Sequence, residues 1–351
     1  MNGKFLKGDV FEMKIVYLLA SSDVSGGQRV IFQQAEELAR ELHTVTLLCP
    51  EAKPTWFPIH RAKWEKKLFS ESKALNAADI CIATYWTTVA PAVEVFDGPV
   101  FHLCQGYEAD FSFNGPFKEE IEAVYAMNTH KLAVSHHVAA RLKSVGYDPV
   151  SYVGQTFNPN EFPTAAKRRF KTMPPVILLP GIFESELKGI REALEALAEL
   201  RKSEIPFYLR RVSTWPLSKA ETNIFTAQEY AMRLTPSQMA AAYRNSDLLI
   251  GPSHPEEGFG LHVLESLSSG LPVLISDTPG HRHIAREAAE YFKWGDNQNI
   301  LMKLRYLLKN APRLRELSKM GPAEANRFST AAVAGRLIHL FRESLNQKGA
   351  S

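Results

Sequence analysis

The chain has 351 residues and a formal net charge of +3, with 45% hydrophobic and 23% charged residues. These proportions are typical of globular proteins, and the length predicts two domains of about 100–200 residues each. So small a net charge gives no reason to expect a nucleic-acid partner. No run approaches the ~18 apolar residues of a membrane span, and the N-terminus lacks a signal-peptide pattern. We therefore expect a soluble, cytoplasmic protein, with weak peripheral contact at the inner membrane face left open.

The first part of the chain alternates short apolar runs with helical patterns. We predict strands at 15–19, 45–49, 79–84, 99–104 and 131–135, and a disordered extension at 1–12. After Gly26 and Gly27, apolar residues recur at helical spacing. Such alternation indicates βαβ units and a parallel sheet. The three cysteines, each in or at the end of an apolar run, are expected to be buried free thiols. They are Cys49, Cys81 and Cys104.

A second set of α/β units follows a basic, proline-flanked linker at 164–175. Its predicted strands are 176–179, 207–212, 247–250 and 272–276. The sequence thus predicts an α/β fold of two Rossmann-like domains, with a ligand cleft between the carboxyl ends of their strands. We place the first domain at 13–170 and the second at 171–328. A C-terminal helical segment at 329–351 completes the chain.

Two glutamates flank a glycine-bearing turn in the second domain. The string runs Pro-Glu-Glu-Gly-Phe-Gly-Leu-His-Val-Leu-Glu over residues 255–265, and Ser-Gly-Leu-Pro-Val follows at 269–273. A helix from residue 258 onward would favour an anion at its start and would place Glu257 and Glu265 roughly 12 Å apart or less. That separation suits a ligand with hydroxyls at both ends and a diphosphate between them, such as a nucleotide-sugar. The alternative is an acidic loop before a solvated amphipathic helix.

This string resembles the E-x7-E signature of the family-4 retaining glycosyltransferases, which have the GT-B fold. Only the register Glu257 to Glu265 fits, because the residue eight after Glu256 is Leu264. The resemblance implies that Glu257 is catalytic and contacts donor-sugar hydroxyls, and that Glu265 holds the ribose. It implies donor contacts from Gly258 and from the amides of three further residues, namely Phe259, Gly260 and Leu261. It also makes the first domain the acceptor domain and the second the nucleotide-sugar donor domain, with the final helix, about 331–345, crossing back onto the first.

Two further elements extend the resemblance to the donor phosphates. Gly26 and Gly27 sit at a strand-to-helix turn, where a ligand can approach the backbone, although such turns also occur without a ligand. Lys188 matches the family lysine that clamps the donor diphosphate, and we assign it a catalytic role. The family arginine is replaced by Ile182, which cannot provide bidentate phosphate binding. Arg210 or Arg211 could supply that charge, or could belong to a solvated surface.

The segment 105–108, Gln-Gly-Tyr-Glu, is similar to that of rhamnosyltransferase-type members that act on dTDP-sugars. It implies that Gln105 and Glu108 contact the sugar or the acceptor. Alternatively, Gln105 is a loop-capping amide. No Asp-x-Asp cluster is present, so we expect no metal and no cofactor. The mixed aromatic and basic segment 56–69 is interpreted as a helix, either at a membrane surface or in ordinary packing.

We therefore expect a retaining glycosyltransferase that moves a sugar from a nucleoside-diphosphate sugar to a glycan, lipid-linked or small-molecule acceptor, as in polysaccharide biosynthesis. One alternative is a catalytically silent sugar-nucleotide-binding or partner subunit, suggested by the isoleucine at 182. Another is an isomerase of the UDP-sugar 2-epimerase kind. Fold alone does not separate these possibilities.

Overall fold

The computed structural model describes residues 12–165, 170, 174–203 and 205–348. The predicted N-terminal extension, apart from Glu12, and most of the predicted linker lie outside these residues. Two parallel sheets form the framework, one of seven strands and one of six. The fold class of two α/β domains is thereby confirmed.

The first sheet has the strand order β3-β2-β1-β4-β5-β6-β7. Continuous apolar sequence makes its central strands, since both faces of a parallel sheet are covered by helices. The strands are β1 Lys14–Leu18, β2 Thr44–Cys49, β3 Lys63–Lys66, β4 Ile80–Ala83, β5 Val100–Cys104, β6 His130–Ala133 and β7 Val150–Tyr152. Five helices connect them, namely α1 Gly26–Arg40, α2 Lys73–Asn76, α3 Trp86–Val95, α4 Lys118–Tyr125 and α5 His136–Val145.

The second sheet has the order β10-β9-β8-β11-β12-β13. Its strands are β8 Val176–Pro180, β9 Tyr208–Ser213, β10 Glu229–Met232, β11 Leu248–Gly251, β12 Val273–Ser276 and β13 Glu290–Phe292. The helices from there to the C-terminus are α6 Ile190–Lys202, α7 Lys219–Ile224, α8 Pro236–Arg244, α9 Leu261–Ser268, α10 Pro279–Ala285, α11 Asn297–Leu308, α12 Ala311–Ala325 and α13 Thr330–Lys348.

The last helix, α13, packs against the first sheet and its helices. Phe341 meets Phe101 of β5 with ring centroids 4.8 Å apart, and both side chains are fully buried. The Arg336 Nε donates to the Val153 carbonyl at 2.6 Å. At the start of the helix the Thr330 N–H donates to the Phe157 carbonyl at 3.1 Å. The C-terminal segment therefore completes the core that the first half of the chain begins.

The helix predicted within 56–69 is wrong. Lys63–Lys66 is instead an edge strand that pairs in parallel with β2, and the Trp64 indole N–H donates to the Glu51 carbonyl. A short strand rich in lysine is typical of a sheet edge, where charge discourages pairing with another chain. The amphipathic membrane-surface helix is therefore not present.

The cysteines and the lengths of the helices can be compared with the predictions from the sequence. All three cysteines are buried and free, as predicted. None of the helices among the described residues is long and apolar enough to cross a membrane.

Candidate functional site

A cleft of about 570 Å³ lies between the carboxyl ends of the two sheets. Residues from both halves of the chain line it, because the turns that follow β1, β5, β8 and β11 all open toward the same space. Every residue that the sequence assigned to the site lines this cleft, whereas Arg210 and Arg211, offered as replacements for the missing arginine, do not. The assigned residues are Gly26, Gly27, Gln105, Glu108, Lys188, Glu257, Gly258, Phe259, Gly260, Leu261 and Glu265.

Glycines let the two domains touch across the cleft. A Cβ on Gly258 would lie 1.8 Å from the Gln105 carbonyl oxygen, so no other residue fits there without moving the backbone. The Ser135 hydroxyl, which also caps α5, donates to the Gly258 carbonyl at 3.0 Å. On the facing side, a Cβ on Gly27 would lie 3.1 Å from the Gln105 amide nitrogen. The glycine turns and Gln105 thus form one continuous wall of the cleft.

The helix after the glycine turn begins later than predicted. Helix α9 starts at Leu261, and Gly260 before it has a φ of +79°, a left-handed conformation that favours glycine. Glu257 consequently lies in the turn and not on the helix, so the rise-per-residue estimate of its distance from Glu265 does not apply. The turn brings the glutamate to the loop that carries Lys188.

Glu257 and Lys188 form an ion pair in the floor of the cleft. Gly189 makes this approach possible, since a Cβ there would lie 2.0 Å from the Pro252 carbonyl oxygen. Burial opposes ionisation of Glu257, but the neighbouring charge of Lys188 prevails and lowers the pKa of that carboxyl to about 2. The Glu257 Oε2 is buried and makes no hydrogen bond of normal geometry, although the nearby Ser253 hydroxyl also helps to lower the pKa of the carboxyl. Glu257 is therefore an ionised acceptor with one oxygen unused.

Two buried histidines lie beneath this turn. Burial lowers the pKa of His262 to about 3 and also lowers the pKa of His281, so both rings are neutral near pH 7. The His281 Nδ1 lies 3.1 Å from the Ser276 hydroxyl, which fixes the ring against β12.

Glu265 is held by two partners that the sequence analysis missed. The Arg29 guanidinium, from α1 of the first domain, forms an ion pair with the Glu265 Oε1. The Tyr243 hydroxyl donates to the Oε2 at 2.7 Å. The side chains of all three are buried. The clue in the sequence is an arginine two residues after Gly27, which falls on the first turn of the helix that faces the cleft.

The arginines at 210 and 211 do not supply the charge missing at position 182. The Arg211 side chain is fully buried and pairs with Glu221, which is also buried. It also donates to the Gly181 carbonyl at 3.0 Å, so it supports the loop that carries Ile182 without entering the cleft. Arg210 pairs with Glu229 at 2.8 Å on the other face of β9. Both interpretations offered for Arg211, a phosphate-binding residue and a solvated surface residue, are therefore wrong.

Gln105 and Glu108 line the first-domain side of the cleft. The Gln105 Nε2 donates to the Gly27 carbonyl at 3.3 Å, a contact that agrees with the alternative of a loop-capping amide. Glu108 is buried, and its carboxyl is hydrogen-bonded to the Tyr125 hydroxyl. Burial raises the pKa of Glu108 to about 7. The group thus exchanges its proton near neutral pH, in contrast to Glu257.

Among the described residues, no group of three or more His, Cys, Asp or Glu side chains is placed to hold a metal ion. The cleft itself contains two separate glutamate–cation pairs and a third glutamate bonded to a tyrosine. The carboxylates of this cleft can accept hydrogen bonds from hydroxyl groups, and its cations can bind a negatively charged ligand.

Residues 162–324 match the family model for glycosyl transferases group 1. The second half of the chain therefore carries a glycosyl transferases group 1 domain, while the finer assignment to family 4 stays a prediction. A D-inositol 3-phosphate glycosyltransferase from Thermobispora bispora is 34% identical over 112 residues. That match covers 31% of this chain and only 26% of the relative.

Solved structures resemble the chain over nearly its whole length. The Anabaena HepE structure in complex with UDP-glucose has a TM-score of 0.76 at 14% identity, covering 95% of this chain and 100% of that one. Sucrose-phosphate synthase from Thermosynechococcus elongatus has a TM-score of 0.74 at 16% identity, covering 96% and 99%. At these identities the likeness shows the fold, which is GT-B, as predicted.

Proposed function

We propose that the protein is a retaining glycosyltransferase that moves a sugar from a nucleoside-diphosphate sugar to a glycan, lipid or small-molecule acceptor. The observation that carries this proposal is the convergence of Glu257, Lys188 and Glu265 with the Gly26-Gly27 turn on one interdomain cleft. The family match of the second domain and the UDP-glucose complex of a structural neighbour support it.

The cleft offers a distinct partner for each part of such a donor. The unused oxygen of Glu257 can accept a hydrogen bond from a sugar hydroxyl, and Lys188 beside it can bind a phosphate. Glu265 can accept from ribose hydroxyls, because each carboxylate oxygen has two lone pairs. The apolar residues Val212, Leu234 and Met239 line the same cleft and can cover the base.

In the proposed reaction the acceptor hydroxyl oxygen forms a bond to the anomeric carbon as the bond from that carbon to the diphosphate oxygen breaks. Attack occurs on the face from which the diphosphate departs, so the configuration is retained. The acceptor proton passes to a departing phosphate oxygen, and no enzyme nucleophile takes part. The protein orients the reactants and stabilises the charge on the leaving diphosphate through Lys188. We expect no metal in this reaction.

Gln105 and Glu108 lie at the first-domain side of the cleft, where the resemblance to rhamnosyltransferase-type members implies contact with the sugar or the acceptor. The donor sugar and its base are to be identified by the nucleotide screen described below. The acceptor would enter on the same side, where Trp56, Tyr85 and Phe111 supply aromatic surface. Large rings of this kind contribute contact area with little conformational entropy to lose.

The first test is a calorimetric and thermal-shift screen against UDP, GDP, dTDP, ADP and their common sugars. We expect one base to bind in the micromolar range, and Glu265→Ala to weaken that binding strongly. Glu257→Gln should retain nucleotide binding and lose most turnover, because an amide cannot replace the carboxylate at the sugar. Near-normal turnover in Glu257→Gln would contradict the role of this residue. If the folded protein binds none of the four nucleotides, the assignment of the donor site is contradicted.

The second candidate function is a silent sugar-nucleotide-binding or partner subunit. Ile182 at the position of the family arginine favours it, since isoleucine adds no charge to the diphosphate site. This function predicts nucleotide binding without transfer to any acceptor and without hydrolysis of the donor. Release of free nucleoside diphosphate from a bound donor in the wild type, absent in Glu257→Gln, would exclude it.

A further inference from the structure

The described residues that line the cleft include one lysine and one arginine, Lys188 and Arg29. They come from opposite domains: Lys188 precedes α6 in the second, and Arg29 lies in the first turn of α1 in the first. Each is bonded to one cleft carboxylate, Lys188 to Glu257 and Arg29 to Glu265. The cleft is therefore built from two matched ion pairs, one of which spans the domain interface.

Arg29 has hydrogen-bonding capacity that the protein does not use. Its residue is 8% exposed, its Nη2 donates to Glu265, and its Nε is buried without a partner. A guanidinium has five N–H donors, and an orphaned buried donor is costly unless a ligand or water satisfies it. The centroid of the Phe162 ring lies 5.2 Å from the Arg29 Cζ, so this ring limits movement of the guanidinium on one side. A ligand at this position would supply the partner that the Nε lacks.

We propose that Arg29 is a donor-binding residue that supplies, from the first domain, the guanidinium absent at Ile182. In this arrangement Lys188 and Arg29 bind the diphosphate together, and the two glutamates that pair with them accept hydrogen bonds from the sugar and the ribose. This inference rests on the proposed function and adds the residue that completes its diphosphate site.

The position of Arg29 fits this role. It lies on the same helical turn as Gly27, whose missing side chain leaves room beside Gln105. Arginine provides the planar fork that matches phosphate oxygens, which lysine as a point charge does not. Because Glu265 belongs to the second domain, a donor held by Arg29 and Glu265 would contact both domains at once. Diphosphate binding and closure of the cleft would then depend on the same residue.

The test compares the full-length wild type with Arg29→Gln for binding of UDP and uridine, or the corresponding pair for whichever base the wild type prefers. We expect the affinity for the diphosphate to fall at least tenfold and that for the nucleoside to fall less than threefold. The matched control is Arg40→Gln, an exposed arginine at the other end of α1, which should change neither. Circular dichroism verifies that each variant is folded.

A second comparison covers the case in which Arg29→Gln leaves Glu265 unpaired and unfolds the protein. Glu265→Gln and the double variant Arg29→Gln/Glu265→Gln both lack that buried charge. The ratio of diphosphate to nucleoside affinity should be at least tenfold lower in the double variant than in Glu265→Gln.

Three outcomes would overturn the proposal. Equal losses for uridine and UDP would mean that Arg29 acts only by holding Glu265. Unchanged affinities would mean that it has no part in binding. A wild type that binds no nucleoside diphosphate would instead refute the proposed function itself, together with this inference.

Discussion

Replacing Arg211 with methionine removes the cation from a fully buried network next to the cleft. The guanidinium donates to both oxygens of Glu221, at 2.7 and 3.4 Å, and to the carbonyls of Leu179, Gly181 and Val212. Glu221 is only 2% exposed, so no water replaces the lost partner. Methionine fills most of the volume of the arginine side chain but donates no hydrogen bond to any of these oxygens.

Breaking a buried pair by removing one partner costs about 3–5 kcal/mol, because the remaining charge stays uncompensated. For a domain of this size that loss lowers the melting temperature by about 6–20 °C. Adding Glu221→Leu removes the stranded carboxylate, so the double variant should lose only about 1–3 kcal/mol, the cost of the unsatisfied carbonyls. The neighbouring pair Arg210–Glu229 is partly exposed, and Arg210→Met should cost about 1 kcal/mol or less.

Urea denaturation and calorimetry of the four proteins, wild type, Arg211→Met, the double variant and Arg210→Met, measure these differences. The reasoning is refuted if Arg211→Met loses less than about 1 kcal/mol. It is equally refuted if the double variant is no more stable than Arg211→Met, because the buried charge would then not be the source of the loss.

Three further predictions concern other parts of the molecule. Because the folded state raises the pKa of Glu108 from 4.5 to about 7, its proton stabilises the fold at low pH and this contribution is lost as the pH rises from 4.5 to 7. Glu108→Gln should therefore gain stability relative to wild type over that window, and parallel stability–pH curves would contradict the burial argument. Phe341→Ala should cost about 3–5 kcal/mol in urea, while Tyr306→Ala on an exposed surface should cost about 0.5 kcal/mol or less. Gly258→Ala should lower any transferase turnover at least tenfold without unfolding the domains, whereas Gly335→Ala, with open space around it, should leave turnover unchanged.

The central strands could be predicted because each is a continuous apolar run. Leu248–Gly251 and Val273–Ser276 are buried at every position, and both were placed to within one residue. The strands that were missed lie at or beside the sheet edges, where exposure permits polar residues. Lys63–Lys66 and Glu229–Met232 have no apolar run to reveal them, and only their pairing with β2 and β9 makes them strands.

The same division applies to the site. Glu257, Lys188 and the glycine turns could be chosen from short motifs, because each motif carries its own local geometry. Arg29 could not, since its partner Glu265 is 236 residues away in sequence and the contact exists only once the two domains meet. The burial of Arg211 could not be predicted either, because it depends on Glu221 and on the carbonyls of β8.

The path of the chain at α13 has a mechanical consequence. The chain passes from the first half to the second near Phe162 and returns at Thr330, and the Thr330 N–H and hydroxyl both bond to the Phe157 carbonyl. The outward and return crossings are therefore tied together at one place, beside Phe157. This tie restrains relative motion of the two halves near Phe157, so we expect any opening of the cleft to widen it most at the end farthest from that residue.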